Sequence, residues 1–172
     1  MCRLELKEWD ESVEQWILRL NLLGQWCPEL LLPSLQPGDR RDLLEQLCHG
    51  CFSAKEIRDL EVKPLLKSWV SPAQQALVEK HAPERWLLPS GRHSRITYVP
   101  DGSPYLAARI QDLYGLEKTP RIAMGRVPVV LHILAPSHRP VQITQDLAGF
   151  WKEHYPKIKQ QLQRRYPKHE WR

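Results

Sequence analysis

Residues Pro120 to Trp151 read PRIAMGRVPVVLHILAPSHRPVQITQDLAGFW, and the order of signals in them sets the architecture of the second half of the chain. Val127 to Leu134 is an extended, β-branched run, and Pro128 requires that the strand either begins there or lies at an edge. Pro136-Ser137 ends that run. Val141 to Ile143 is short and pairs back on the preceding strand across the Ser-His-Arg-Pro turn. Thr144 or Asp146 then caps terminal helices in which Leu147, Phe150 and Trp151 bury one face. Pro156 opens a second helix or kinks the first, while Ile158 with Leu162 leaves Lys157, Lys159, Arg164 and Arg165 mostly outward.

Upstream, Trp86 to Leu88 and Ser94 to Val99 are further extended candidates, bounded by Pro89-Ser-Gly91 and Pro100-Asp-Gly102. Ile96 and Tyr98 would share one sheet face, and Arg95, Thr97 and Val99 the other. Leu106, Ile110, Leu113 and Tyr114 stand at helical spacing before Gly115, which predicts a helix over 106–114. Before residue 82 the period is helical throughout. Val13, Trp16, Ile17, Leu20 and Leu23 form one stripe, with Ser12 and Gln15 in capping-box spacing. Asp39 caps a helix carrying Leu43, Leu44 and Leu47, Ser53-Ala-Lys-Glu56 opens a short one, Pro64 restarts the chain, and Ser71-Pro72 starts a helix to about His81. The expectation is an α+β chain: a helical N-terminal subregion, 1–82, then a basic region, 83–172, with a small, mainly antiparallel sheet and flanking C-terminal helices. Ala82-Pro83 is the expected seam.

The chain has 172 residues and 42% hydrophobic composition, enough for one ordinary domain or two small ones. No run of eighteen apolar residues and no basic-then-apolar leader is present, so the expected setting is the cytoplasm, with no membrane partner. The four cysteines, Cys2, Cys27, Cys48 and Cys51, do not fall in a secreted-domain spacing, which fits a reducing compartment.

Charge is unevenly placed. Residues 1–80 hold 10 Lys+Arg against 13 Asp+Glu, and residues 81–172 hold 15 against 7, a balance of −3 and +8 within the net +5. Phosphates are neutralised by cations gathered on one surface, so the basic half is the candidate nucleic-acid face. The expected contact residues are Arg92, Arg95, Arg139, Lys152, Lys157, Lys159, Arg164, Arg165, Tyr166 and Lys168. A solvated surface that only keeps the domain soluble is the competing reading.

Cys48-His-Gly-Cys51 has the gap of half a zinc site, yet a structural zinc needs two further ligands and no second pair stands at a suitable distance. No metal is expected. The seven histidines are scattered outside any nucleophile pattern, and His132 on an apolar strand reads as a hydrogen-bonded or semi-exposed residue. The carboxylates are unpaired at any acid–base spacing, so no catalytic residue is assigned. Aromatic faces can stack unpaired bases, but Trp16, Trp69, Phe150 and Trp151 occupy apolar stripes and read as core, leaving Tyr166 with its basic neighbours as the place to look first.

The Pro120–Trp151 stretch, followed by Arg165-Tyr-Pro-Lys-His169, resembles the carboxy-terminal domain of bacterial HrpB proteins, ATP-dependent helicases of the DEAH type. Pro89-Ser-Gly91, Tyr98 with Asp101-Gly102, Leu106-Ala-Ala-Arg109 and Gln111-x-Leu-Tyr-Gly115 occur in the order familiar from that family. The resemblance implies a parent RNA helicase that binds ATP, magnesium and nucleic acid. The motor is not in this stretch: none of the eight glycines opens a G-x-x-x-x-G-K-[ST] phosphate loop, and no Asp-Glu-x-His string follows. The fragment is therefore expected to be non-catalytic and to need no cofactor of its own. Two roles remain: an RNA-contacting accessory module, or a protein-interaction module that docks on the helicase core of the same polypeptide or on another protein.

Overall fold

The computed structural model describes residues 10–49, 55 and 62–172, and the Ser53 box and Cys51 lie outside them. The chain packs as two compact units, Met1–Ala82 and Pro83–Arg172.

In the first unit, α1 (Glu11–Trp26) buries Val13, Trp16, Ile17, Leu20 and Leu23, the stripe its 3.6-residue period requires. Its cap lies two residues before Ser12: the Asp10 carboxylate accepts from the amides of Ser12 and Val13. Asn21 fixes the returning loop by donating to the Leu35 carbonyl and accepting from its amide, so that buried Leu35 carries no orphan backbone. Helix α2 spans Pro37–Cys48, with Asp39 in its first turn accepting from the Gln36 amide. Helices α3 (Val62–Ser68) and α4 (Pro72–His81) follow, the latter opened by a Ser71/Gln74 capping box. Arg19 is buried and satisfied: Nε donates to the Ala82 carbonyl at 2.7 Å and Nη2 meets Glu79 at 2.9 Å. Trp16 is core, but Trp69 is 43% exposed. It follows the last residue of α3, where the chain leaves helical phase and Leu66 and Val70 take the buried positions.

The hydrogen bond from the Ser12 hydroxyl, then the backbone amides, hold the Asp10 carboxyl below its ordinary 3.8. A lowered carboxyl favours the folded state when ionised, so its contribution is present above the ordinary carboxylate range and lost as pH falls through it. Wild type should exceed Asp10→Ala in stability at neutral pH, with the gap closing on acidification below pH 3.8 in denaturant titrations.

The second unit holds a five-stranded sheet in the order β1-β2-β3-β6-β7: β1 Arg85–Leu87, β2 His93–Thr97, β3 Tyr105–Arg109, β6 Val130–Leu134 and β7 Pro140–Thr144. β3 and β6 are parallel and the other pairings antiparallel. The helix expected over 106–114 is a correction: residues Tyr105–Arg109 form a central strand, and only Ile110–Leu113 make one helical turn, α5. Leu106 and Ala108 are buried while Ala107 between them is exposed, a period of two that a short apolar run conceals from sequence reading. Pro128 splits the other long run. Val127–Pro128 (β5) pairs with Arg121–Ile122 (β4) in a separate ribbon, and β6 begins only at Val130.

Between β6 and β7, Pro136 and Ser137 form a turn closed by His138 N–H to the Ala135 carbonyl, with His138 in the left-handed region at φ 64°. Gly115 ends the α5 turn at φ 95°, where an L side chain costs about 1–2 kcal/mol. Gly115→Ala should destabilise by that amount, read from the denaturant midpoint.

Leu147–Gly149 (α6) is capped by Asp146, which accepts from the Gly149 amide. The helix then widens into a π turn, Phe150–His154, before α7, Tyr155–Arg165. Pro156 supplies the cause: it lacks the amide that the Lys152 carbonyl would receive, and the Tyr155 amide bonds the Phe150 carbonyl five residues back instead. Among the described residues no helix is long and apolar enough to cross a membrane.

Candidate nucleic-acid interface

The ten residues singled out by sequence fall in distinct places on the second unit. Lys157 and Arg164 are exposed on α7, seven residues and two turns apart, hence on one face about 10 Å apart along the axis. Helix α7 contains no Asp or Glu, and Tyr155, Ile158 and Leu162 form its inner stripe. Lys159 is half-buried beside that stripe, while Arg165 is exposed. Neither Lys157, Arg164, Lys168 nor Arg139 forms an ion pair among the described residues. The side chains with the least to lose on meeting a phosphate are these.

Tyr166 is already engaged. Its hydroxyl shares a 2.7 Å hydrogen bond with Ser137, the Arg165 guanidinium lies 5.8 Å over its ring, and His169 meets it edge-on. It ties the end of α7 to the β6–β7 turn that carries Arg139, so Arg139, Arg165 and Tyr166 gather at one end of the sheet. Arg92 lies toward the same end, on a polar cleft of about 140 Å³ that His138 also lines. Its charge is partly answered, because Asp112 stands 3.8 Å from Arg92 and 3.0 Å from Arg109. Arg95 sits apart on β2, directly opposite Arg85 of β1. On the same sheet face, half-buried His132 stacks on Tyr105 with ring centroids 4.5 Å apart and planes 6° from parallel.

Lys152 leads to Trp151, which the sequence reads as core. It lines an open groove of about 530 Å³ with Tyr114, Trp151, Tyr155, Glu117 and Arg172. Trp151 is half-buried, its indole N–H bonded to the Leu116 carbonyl at 2.8 Å. The Tyr114 and Tyr155 hydroxyls are 2.6 Å apart. Burial first, and then that hydrogen bond, push the Tyr155 phenol well above its ordinary value, so it stays neutral and can act as a donor. The Arg172 guanidinium lies 5.5 Å over the Tyr114 ring. Spacing alone placed Trp151 in the buried stripe; the legible sign against that was Pro156, whose missing amide forces the wider turn.

Among the described residues no group of three or more His, Cys, Asp or Glu is placed to hold a metal ion.

Comparison with known proteins adds three findings. Residues 43–172 match the family model for the ATP-dependent helicase C-terminal region. The ATP-dependent RNA helicase HrpB of Escherichia coli (strain K12) is 35% identical over 172 residues, covering 98% of this chain and 21% of that protein. Two crystal structures from Escherichia coli are similar at 34% identity: the DExH-box NTPase HrpB, with TM-score 0.89 over 95% of this chain and 21% of that one, and the DEAH/RHA helicase HrpB, with TM-score 0.79 over 96% and 22%. The chain thus spans about a fifth of the length of the relatives it matches.

Proposed function

From the premise that the chain belongs to the HrpB-type ATP-dependent helicase C-terminal family, we propose that it is a non-catalytic accessory region that contacts RNA through its basic carboxy-terminal half. The observation that supports this most is α7. It is an amphipathic helix with four cations, no acids, and an outward Lys157/Arg164 pair without an ion-pair partner among the described residues. Uncompensated cations on a rigid helix lose little on meeting phosphates and release the nucleic acid's counterions. Arg139, Arg165 and Lys168 extend the basic surface near the Ser137–Tyr166 tie, and Lys152 extends it toward the aromatic groove.

In this reading ATP and magnesium are bound by motor domains of a parent polypeptide, which works in the cytoplasm and is this region's constant partner. The accessory region supplies backbone contacts that hold or steer a strand. Such contacts recognise charge and carry no sequence preference.

Ultraviolet crosslinking of the chain to labelled single-stranded RNA, followed by peptide mapping, tests the placement. Crosslinks concentrated in residues 135–172 are expected; crosslinks confined to residues 10–49 would refute the assignment.

A further inference from the structure

The groove beside Lys152 has the chemistry of a base-binding site, and we infer that it receives one unpaired nucleobase of a bound strand, stacked on Trp151. The inference rests on the proposed RNA contact and specifies where that contact becomes more than electrostatic. Three independent features converge on it.

The first is rigidity. Trp151 is fixed by its bond to the Leu116 carbonyl and by an edge-on contact with Tyr155, with centroids 5.0 Å apart and planes at 86°. Tyr155 is in turn held by Tyr114. A ring that is already ordered loses little entropy when a base stacks on it.

The second is the π turn. It interrupts the helix at Phe150–His154 and coincides with the placement of Trp151 and Lys152 together on the groove; such turns are uncommon and recur at functional sites.

The third is charge complementarity at the rim. Lys152, with no ion-pair partner among the described residues, offers a cation for a flanking phosphate, and Arg172, already paired with Glu170 at 2.7 Å, stands on the same rim. Glu117, with no partner among the described residues, offers an acceptor for an exocyclic amine such as that of cytosine. A purely apolar partner would leave Lys152 and Glu117 unanswered. The volume of about 530 Å³ accommodates a base and its sugar with room for water.

The test compares binding of the 172-residue chain to an eight-nucleotide oligocytidylate and to an abasic backbone of the same length and charge. Backbone contacts are equal in the two, so any difference reports the base. Wild type should prefer the oligocytidylate by roughly tenfold, the scale of one aromatic stack. Trp151→Leu should abolish that preference and leave the salt dependence unchanged. Ala148→Phe fills the groove from an exposed helical position without touching the core, and should do the same. Circular dichroism verifies that both variants fold.

Retention of the tenfold preference by a folded Ala148→Phe overturns the inference, as does wild-type binding that is salt-dependent but indifferent to bases; the backbone contact then stands. Absence of any binding overturns both. If Ala148→Phe leaves base preference intact but weakens association with the rest of the helicase, the groove is a protein-docking surface instead.

Discussion

Neutralising Lys157 and Arg164 together, as Lys157→Gln with Arg164→Gln, should weaken binding of single-stranded RNA by about 20-fold at 0.1 M salt and lower the slope of log K against log salt by about 1.4. Both numbers follow from one quantity, about 0.7 counterions released per single-strand phosphate contact, counted twice. The change should be independent of base sequence. Neither side chain has a structural partner among the described residues, so the variant should unfold at the same denaturant concentration as wild type. A fall in affinity with an unchanged slope would mean that the two residues act through structure rather than by meeting phosphates. Fluorescence anisotropy across a salt series reads both quantities.

Replacing Trp16 should have the largest effect on stability. Its ring is 1% exposed, and the Arg19 guanidinium and Lys67 ammonium lie 5.5 and 5.3 Å from its centroid. Trp16→Ala removes a full aromatic side chain from the helical core, which costs about 3–5 kcal/mol. It also takes the aromatic face away from two cations held near Glu79. The melting temperature should fall by on the order of 10 °C. Trp69→Ala, at a position 43% exposed, should change it little. Differential scanning calorimetry of the two variants separates a tryptophan that holds the first unit together from one at its surface.

The two tryptophans also show how far sequence carries. Trp16 belongs to a stripe five apolar residues long, and periodicity of that length is reliable because several side chains must agree on one face. Trp69 stands near the end of a short run, just before buried Val70, and where the helix stopped decided its fate. The same limit explains β3. Leu106-Ala-Ala-Arg109 favours a helix by composition, and the parallel partner that makes it a strand, β6, lies more than twenty residues away. Local spacing does not contain that information. The hairpin of β6 and β7 was legible because a proline turn joins two β-branched runs, and the Asp146 cap was legible because its bond is local.

Of the candidate site, the α7 cations were readable from amphipathic spacing and the absence of acids. Tyr166 was readable as basic-flanked but not as tied to Ser137, a contact 29 residues away. The aromatic groove was hidden for a different reason. Trp151 fits the apolar stripe with Leu147 and Phe150 if the helix is regular, and the π turn that half-exposes it is a consequence of a proline five residues later.

The salt dependence of RNA binding by the intact 172-residue chain tests the central claim most directly. Micromolar or tighter binding to single-stranded RNA at low salt, with log K falling linearly in log salt by several units of slope, is the predicted result. No binding at low salt, or binding indifferent to salt, would contradict an RNA-contacting role and leave docking on the motor as the function of the basic face.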